Sequence, residues 1–399
     1  MILNAFKRPR AEITSTPELM ELLLRGQQTS AGVSVSSESA LRSTAVYACV
    51  TVIAETCAQL PLITYERTDN GKQRAKNHEL YGLLHDQPNK FQTSFDWRMS
   101  TTVSALLKGA GYSYINRSVT GKILEILPIP YDSITLELDK NSELHVFFTD
   151  LDGKKIELEH HQIHRMTGVT LNGWQGISPI EYHRQTVGIA IAADQHAAVT
   201  FKNGAKPSGV LVHPGTFSSN EVAQRVRDSW VDKYTGEGAG GTPLLEEGME
   251  FKPVSMNNRD AQYIETRKFQ LPEIARIFHM QPHKIGDLDR ATNNNIEDQS
   301  KSFIGETMMP WFLRWEQSIS RDLITRKNTA RYFACHNVDG FLRGNMQARA
   351  DYYQKAVGGP FMTQNEAREL EDLPVKQGLD DVLTPLNMIP NTENDLENT

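Results

Sequence analysis

The side chains best suited to chemistry are three histidines, His160, His161 and His164, gathered within five residues. Imidazoles at that density can ligate a transition metal, but a closed site needs further Cys, Asp or Glu donors at defined spacing. No recognised zinc spacing surrounds the three, so they read as solvent-facing strand and turn histidines, and no metal is expected. Gly236, Gly238 and Gly241 reproduce a G-x-G-x-x-G spacing. A dinucleotide site requires a strand before those glycines and a helix after them. Here a helical pattern precedes and a strand-like one follows, which makes the run a surface loop with no cofactor to hold. Asp287 and Asp289 beside Arg290 are alternating charges of a solvated loop rather than a catalytic dyad. The sequence has no G-x-x-x-x-G-K-S/T, G-x-S-x-G or H-E-x-x-H signature. The expectation is a protein that is not an enzyme.

The chemistry the chain does offer is weak, reversible contact. Residues 281–295 hold His283, Lys284 and Arg290, then Asn293, Asn294 and Asn295 in a row. Isolated cations and amides touch a polyanion without reading its sequence. Gly286 gives that loop backbone freedom, so it should stay mobile. A helical pattern precedes it over about 258–280, through Ile264, Leu271, Ile274, Ala275 and Phe278. Another follows from Ile296 through Ile304, Met308, Trp311, Trp315, Ile319 and Leu323. Pro272 predicts a kink or break in the first helix and Pro310 a kink in the second. A hydrogen-bonding loop carried between two helices is a mechanical part better than a catalytic pocket.

Other elements position this part. Ser178-Pro179-Ile180-Glu181 places a capping Ser, a Pro at the first helical position and a Glu at the third. The helix so begun is predicted to run to Asn203, about 39 Å, with Gly204 ending it. Gly188, Ala190, Ala192, Ala193, Ala197 and Ala198 give it small side chains for close packing, against a neighbouring subunit or within its own. A strand over Ser208–His213, a helix opened by Ser218-Ser219-Asn220-Glu221 and ending near Tyr234, and a strand over Met249–Val254 make a compact module. Its charges Arg225, Arg227, Asp228 and Glu237 are expected to be exposed and to bind partners.

Upstream, residues 44–58 read as a helix with Val46, Val50, Ile53 and Cys57 on one face, followed by a strand over 60–65. A second helix over 94–109 and a strand-rich Tyr112–Thr149 follow, with a hairpin turn at Val119–Lys122. Thr363-Gln364-Asn365-Glu366 opens one more helix. Residues 1–40 read as a partly ordered polar arm and 386–399 as a disordered tail.

The net charge is −7. A protein that grips DNA carries a basic face and often a pI above about 9. Tight phosphate neutralisation is therefore disfavoured, whereas a surface that DNA slides past is not. No apolar run approaches the roughly 20 residues that span a bilayer, so no membrane partner is expected. Residues 1–10 lack the apolar stretch of a secretory signal. Three cysteines, Cys49, Cys57 and Cys335, fit a reducing compartment, with Cys49 and Cys57 buried on one helix.

Several blocks in shared order resemble the portal proteins of tailed bacteriophages. They are Ser43-Thr44-Ala45-Val46-Tyr47-Ala48-Cys49-Val50 with Leu60-Pro61-Leu62, Lys108-Gly109-Ala110-Gly111-Tyr112-Ser113-Tyr114-Ile115, and Leu127-Pro128-Ile129-Pro130. Gly176-Ile177-Ser178-Pro179-Ile180 and Phe201-Lys202-Asn203-Gly204-Ala205-Lys206-Pro207-Ser208-Gly209-Val210-Leu211 follow. Leu245-Glu246-Glu247-Gly248-Met249 and Glu273-Ile274-Ala275-Arg276-Ile277-Phe278 complete the set, which spans roughly 40–375. The chain departs from the family at His279-Met280-Gln281-Pro282, where Gly-Val-Pro-Pro is expected, which puts the local turn geometry at issue.

The resemblance implies an α+β portal fold: a mixed wing over 41–176, stem helices over 177–204 and 257–280, and a small α/β clip over 205–256. It implies a tunnel loop over 281–295, a kinked helix returning to the wing over 296–339, and a helical crown over 340–385. It further implies a homo-oligomeric ring, commonly of twelve, at one capsid vertex. Double-stranded DNA passes through without sequence recognition. The implied partners are the large terminase subunit, then head-completion and adaptor proteins, and a major capsid or scaffolding protein. The product resides in the virion after synthesis in the bacterial host cytoplasm. The rival readings are a monomeric adaptor and a metal-dependent hydrolase using the histidine cluster.

Overall fold

The computed structural model describes residues 29–69, 71–202, 209–215, 219–234, 248–253, 257–286, 302–338, 346–359, 361–371 and 373–384. The chain divides into two compact units, residues 1–59 with 64–335, and residues 60–63 with 336–399. Helix and antiparallel sheet are mixed throughout the first unit, as an α+β fold requires.

After a single turn of helix α1 (Ser37–Ala40), the core of the first unit is two helices, α2 (Thr44–Gln59) and α4 (Ser94–Lys108), with α3 (Glu79–His85) between them in sequence. The 3–4 spacing on α2 does what it predicts: Val46, Val50, Ile53 and Cys57 are buried together. Burial pushes the Cys49 and Cys57 thiols up to about 12, so both stay protonated. Helix α4 opens on a Thr93–Asp96 capping box and ends at Gly109, whose φ of 95° needs a residue without Cβ. From α4 the buried Arg98 donates to the carbonyls of Cys57 (3.1 Å) and Ala58 (2.6 Å), acceptors that the end of α2 leaves open.

Strand β1 (Leu62–Thr68) turns back into β2 (Gly71–Arg74), and β11 (Tyr332–His336) runs near it, with the Arg67 N–H on the Arg331 carbonyl at 2.7 Å. Strand β3 (Ala110–Arg117) is the centre of a second sheet, antiparallel to β4 (Ile123–Ile129) and β8 (Ile163–Thr167). A meander of β5 (Ile134–Leu138), β6 (Leu144–Thr149) and β7 (Lys155–Leu158) shares an apolar cluster with it: Tyr112, Ile129, Val146, Phe148, Leu158 and Ile163. The predicted hairpin turn joins β3 to β4, with the Ser118 N–H on the Lys122 carbonyl at 2.8 Å.

The histidine cluster needs one correction. His160 and His161 are exposed, as expected of turn residues. His164 is fully buried on β8 rather than solvent-facing. It is packed between Trp97 and Trp315, with ring centroids at 5.8 and 5.7 Å. Its Nδ1 lies 3.2 Å from Asp322 Oδ2, off the straight hydrogen-bond line. The alternation of β8 turns His164 inward, away from its two neighbours in sequence. Among the described residues the grouping with metal-ligand proximity is Asp139, Glu143 and His145, and it includes none of the three.

The second unit holds α10 (Met346–Gly358) and α11 (Gln364–Leu370). Thr363 and Glu366 form the predicted capping box. Asn365 is buried behind it, with its amide donating to the Lys376 carbonyl and to Asp380 Oδ1, each at 2.7 Å.

Candidate functional site

The helical part of the chain is anchored by backbone touching backbone. Gly109 and Gly176 meet so closely that a Cβ on Gly176 would lie 1.9 Å from the Gly109 carbonyl oxygen. Two residues on, the Ser178 hydroxyl donates to the Leu107 carbonyl at 2.6 Å and accepts the Glu181 amide at 3.2 Å. The helix cap is thereby fastened to the end of α4.

The single helix predicted from 178 is two. A turn, α5 (Pro179–Tyr182), stops at His183, and α6 runs from Arg184 to Lys202. Ile180 is buried where α5 packs on α4, while α6 packs on α8 (Asn257–Ile277). The break at His183 lets the two segments serve different neighbours. Gly188 lies against Thr29 of the N-terminal region, and a Cβ there would come within 2.5 Å of the threonine methyl. Ala190 and Ala197 are buried as well. Much of the small-residue pattern therefore serves packing inside the chain.

Of the two outcomes expected for α8 at Pro272, a kink or a break, the break does not occur, and the helix continues through the proline. An interior proline costs about 3 kcal/mol. Buried Gln270, Ile274 and Ala275 flank it, and their packing offsets that cost. Strands β9 (Gly209–Val212) and β10 (Glu250–Pro253) pair antiparallel, with Gly209 opposite Pro253. An Arg267–Asp194 pair at 3.1 Å fixes the level of α8 against α6. Helix α7 (Asn220–Tyr234) lies between the strands in sequence, with Ser219 capping it through the Val222 amide. Arg225, Arg227 and Asp228 are exposed on α7, and Glu237 lies outside the described residues.

At the end of α8 the chain reverses through His279, whose φ of 52° is left-handed. The Met280 amide closes the turn on the Ala275 carbonyl at 2.8 Å. This is the position where the family resemblance calls for glycine. A side chain in that conformation costs about 1–2 kcal/mol. The expected result is that His279→Gly changes stability by less than about 1 kcal/mol, since relieved strain offsets added chain entropy. His279→Val should lose about 1–2 kcal/mol, because branching at Cβ disfavours that region most. Urea midpoints of the two variants check this.

A 3₁₀ turn over Pro282–Ile285 follows and ends at Gly286, φ 91°. Lys284 Nζ sits 5.4 Å over the Phe303 ring, and Gln281 Nε2 donates to Ser302 Oγ at 2.8 Å. Burial and then the Lys284 charge lower the pKa of His283. The first part of the 281–295 loop thus lies against the start of the next helix. Arg290, Asn293, Asn294 and Asn295 lie outside the described residues. That next helix begins as a π-helix over Phe303–Met308 and becomes α9 over Met309–Asp322. Pro310, where a kink was expected, sits at the start of α9 directly after the π-helical turn, where a missing N–H is tolerated.

A family model described as phage portal protein matches residues 44–372. The chain belongs to the phage portal protein family. The portal protein of Enterobacteria phage HK97 is 29% identical over 369 residues, which cover 90% of this chain and 85% of that one. The crystal structure of an HK97 family phage portal protein from Corynebacterium diphtheriae has a similar fold, with a TM-score of 0.57 at 16% identity over 77% of this chain and 96% of that one. So does a chain in the neck of the native gene transfer agent (GTA) particle, computed with C12 symmetry: TM-score 0.57, 20% identity, 89% of this chain and 99% of that one. The family is structural, and the portal role carries over with membership. Two blocks of the resemblance, Lys108–Ile115 and Gly176–Ile180, now have a physical reason. Gly109, Gly111 and Gly176 are places where no Cβ fits, and Ser178 fastens the entry to the helices.

Proposed function

We propose that the chain closes into a ring of twelve at one capsid vertex and that α6 and α8 are the stem beside an axial channel for double-stranded DNA. The observation that carries this reading is the packed α6–α8 pair with the β9–α7–β10 segment between them in sequence, in a chain of the portal family. The likeness to a neck chain of C12 symmetry supports the number. In this reading the wing takes 41–176, the clip 205–256 and the crown 340–385. The clip binds the large terminase subunit and then head-completion proteins through Arg225, Arg227, Asp228 and Glu237. The loop over 281–295 touches passing DNA through Lys284, Arg290 and the three asparagine amides, which hold it too weakly to brake it. A capsid or scaffolding protein contacts the wing. The chain carries no catalytic step, resides in the virion, and is made in the host cytoplasm.

Electron-microscope images of the purified protein should show twelvefold rings with a central hole. Images of single particles without a hole at micromolar concentration would reject the reading. Reversing Arg225, Arg227 and Asp228 together should leave rings intact and reduce packaging at least tenfold. Packaging at the parent rate would place the motor's docking surface elsewhere.

A further inference from the structure

The hairpin of β1 and β2 gathers cations on one face. Cross-strand partners share a face, and Arg74 lies opposite Tyr65 while Lys72 lies opposite Arg67. Tyr65, Arg67, Lys72 and Arg74 therefore stand together. Lys72 Nζ is 5.0 Å over the Tyr65 ring, and the Arg67 guanidinium is 4.5 Å over the ring of Phe333 on β11. The two rings stack on each other at 5.6 Å. Arg67 also donates to the Thr329 and Ala330 carbonyls, at 3.0 and 3.2 Å, which brings the turn bearing exposed Arg326 and Lys327 beside the hairpin. Glu66 belongs to the opposite face, where Arg331 pairs with it at 2.5 Å. The hairpin's other carboxylate, Asp69, follows β1 in the turn. A basic face of this kind stands out in a chain of net charge −7.

Strand β2 is also an edge. The sheet order is β11–β1–β2, so one side of β2 has no partner among the described strands. In an antiparallel ladder alternate residues turn their N–H and C=O toward the partner strand. The Ala75 amide donates to the Thr64 carbonyl at 2.9 Å, so by alternation Gln73 and Gly71 also face β1. The backbone of Lys72, between them, faces the open edge. A lysine on an edge strand can serve simply to repel a second strand. Here Lys72 and Arg67 are held on rings, which lowers the entropy they lose on binding. Lys72 and Arg74 are two residues apart, about 6.6 Å along the strand, which is the spacing of alternate side chains on an added strand. A DNA duplex could meet these charges but not the open backbone. Bases could not stack on the rings, which are taken up by each other and by the cations. We propose that the β2 edge binds an extended acidic segment of a partner protein, added as a fourth strand, with carboxylates at alternate positions over Lys72 and Arg74. Charge and open backbone set this partner's chemistry, independently of the ring reading.

The test is fluorescence anisotropy of the full chain with a short labelled peptide of alternating Glu and Thr. Saturable binding is expected at low salt. Lys72→Glu combined with Arg74→Glu should weaken it about tenfold or more, with circular dichroism to confirm folding. Gln73→Lys, which adds a cation to the opposite face, should leave it within about twofold. The same peptide N-methylated throughout keeps its charges but cannot donate, and should bind about fivefold more weakly. A DNA duplex at equal charge concentration should not displace the peptide. The proposal is overturned if the parent does not bind, if the charge-reversed variant binds like the parent, or if Gln73→Lys tightens binding as strongly as charge reversal weakens it. Equal binding of the N-methylated peptide would reduce the contact to general charge attraction and remove the added strand. Displacement by the duplex would give the face to nucleic acid instead. A change in the mass of the assembly on charge reversal, seen by native mass spectrometry, would give the edge to a second copy of the chain, and either result overturns the proposal.

Discussion

Replacing Asp322 with asparagine lowers stability by about 3 kcal/mol at neutral pH, and the gap narrows in acid. Asp322 is a buried carboxylate at the end of α9 with several partners. Its oxygens accept the Arg165 amide at 2.8 Å and the Arg321 guanidinium at 2.6 and 2.8 Å, and Oδ2 lies 3.2 Å from His164. Burial alone would raise its pKa, but the bonds from Arg321 and the His164 ring outweigh burial and hold it well below the usual carboxylate range. Asparagine keeps the shape but loses the charge, leaving these donors poorly matched. The sign in acid follows from linkage. A depressed folded pKa adds stability that is full above the unfolded value, about 4, and is lost as pH falls through the folded one. Denaturant unfolding of parent and variant should therefore differ by a constant amount from pH 7 to 5 and converge below about pH 4. A gap that stays constant down to pH 2.5 would show that the charge contributes nothing.

Gly176→Ala should cost on the order of 3 kcal/mol, and soluble yield should fall with it. The added methyl would lie 1.9 Å from the Gly109 oxygen, and neither segment is free to withdraw. The Gly168 amide donates to that same oxygen at 2.8 Å, and the Ile177 amide donates to the Val169 carbonyl at 2.8 Å. Gly305 is the control, because nothing lies within 4 Å of a Cβ placed there. Gly305→Ala should be neutral or stabilising by up to about 1 kcal/mol. Urea midpoints of both variants decide the matter. Equal midpoints would mean that the 109–176 contact relaxes without penalty.

Some of the site was legible and some was not, for physical reasons. Caps at Ser178 and Thr363, and the apolar spacing of α2, are local signals, and the helices begin and bury where those signals say. The break at His183 and the passage of α8 through Pro272 run against local preference, because packing partners far away in sequence decide both. The small residues of α6 pointed to close packing but not to a partner. Gly188 meets Thr29, a residue 159 positions earlier that no spacing rule connects to it. Glycine is missing at 279 although the backbone there is left-handed, so the departure from the family pattern was readable but its strain was not.

By itself the sequence determined the mixed helix and strand content, the order of the blocks and hence the family. Hydrogen-bonding caps, turn glycines and apolar periodicity act over a few residues and need no fold to be read. Only the tertiary structure decided that His164 points inward onto Asp322, that Gly109 meets Gly176, and that Val187, Ala190, Ile191 and Ala197 of α6 are buried. Those outcomes depend on contacts between segments tens to hundreds of residues apart. Their stability comes from burial and close packing, which no local pattern encodes.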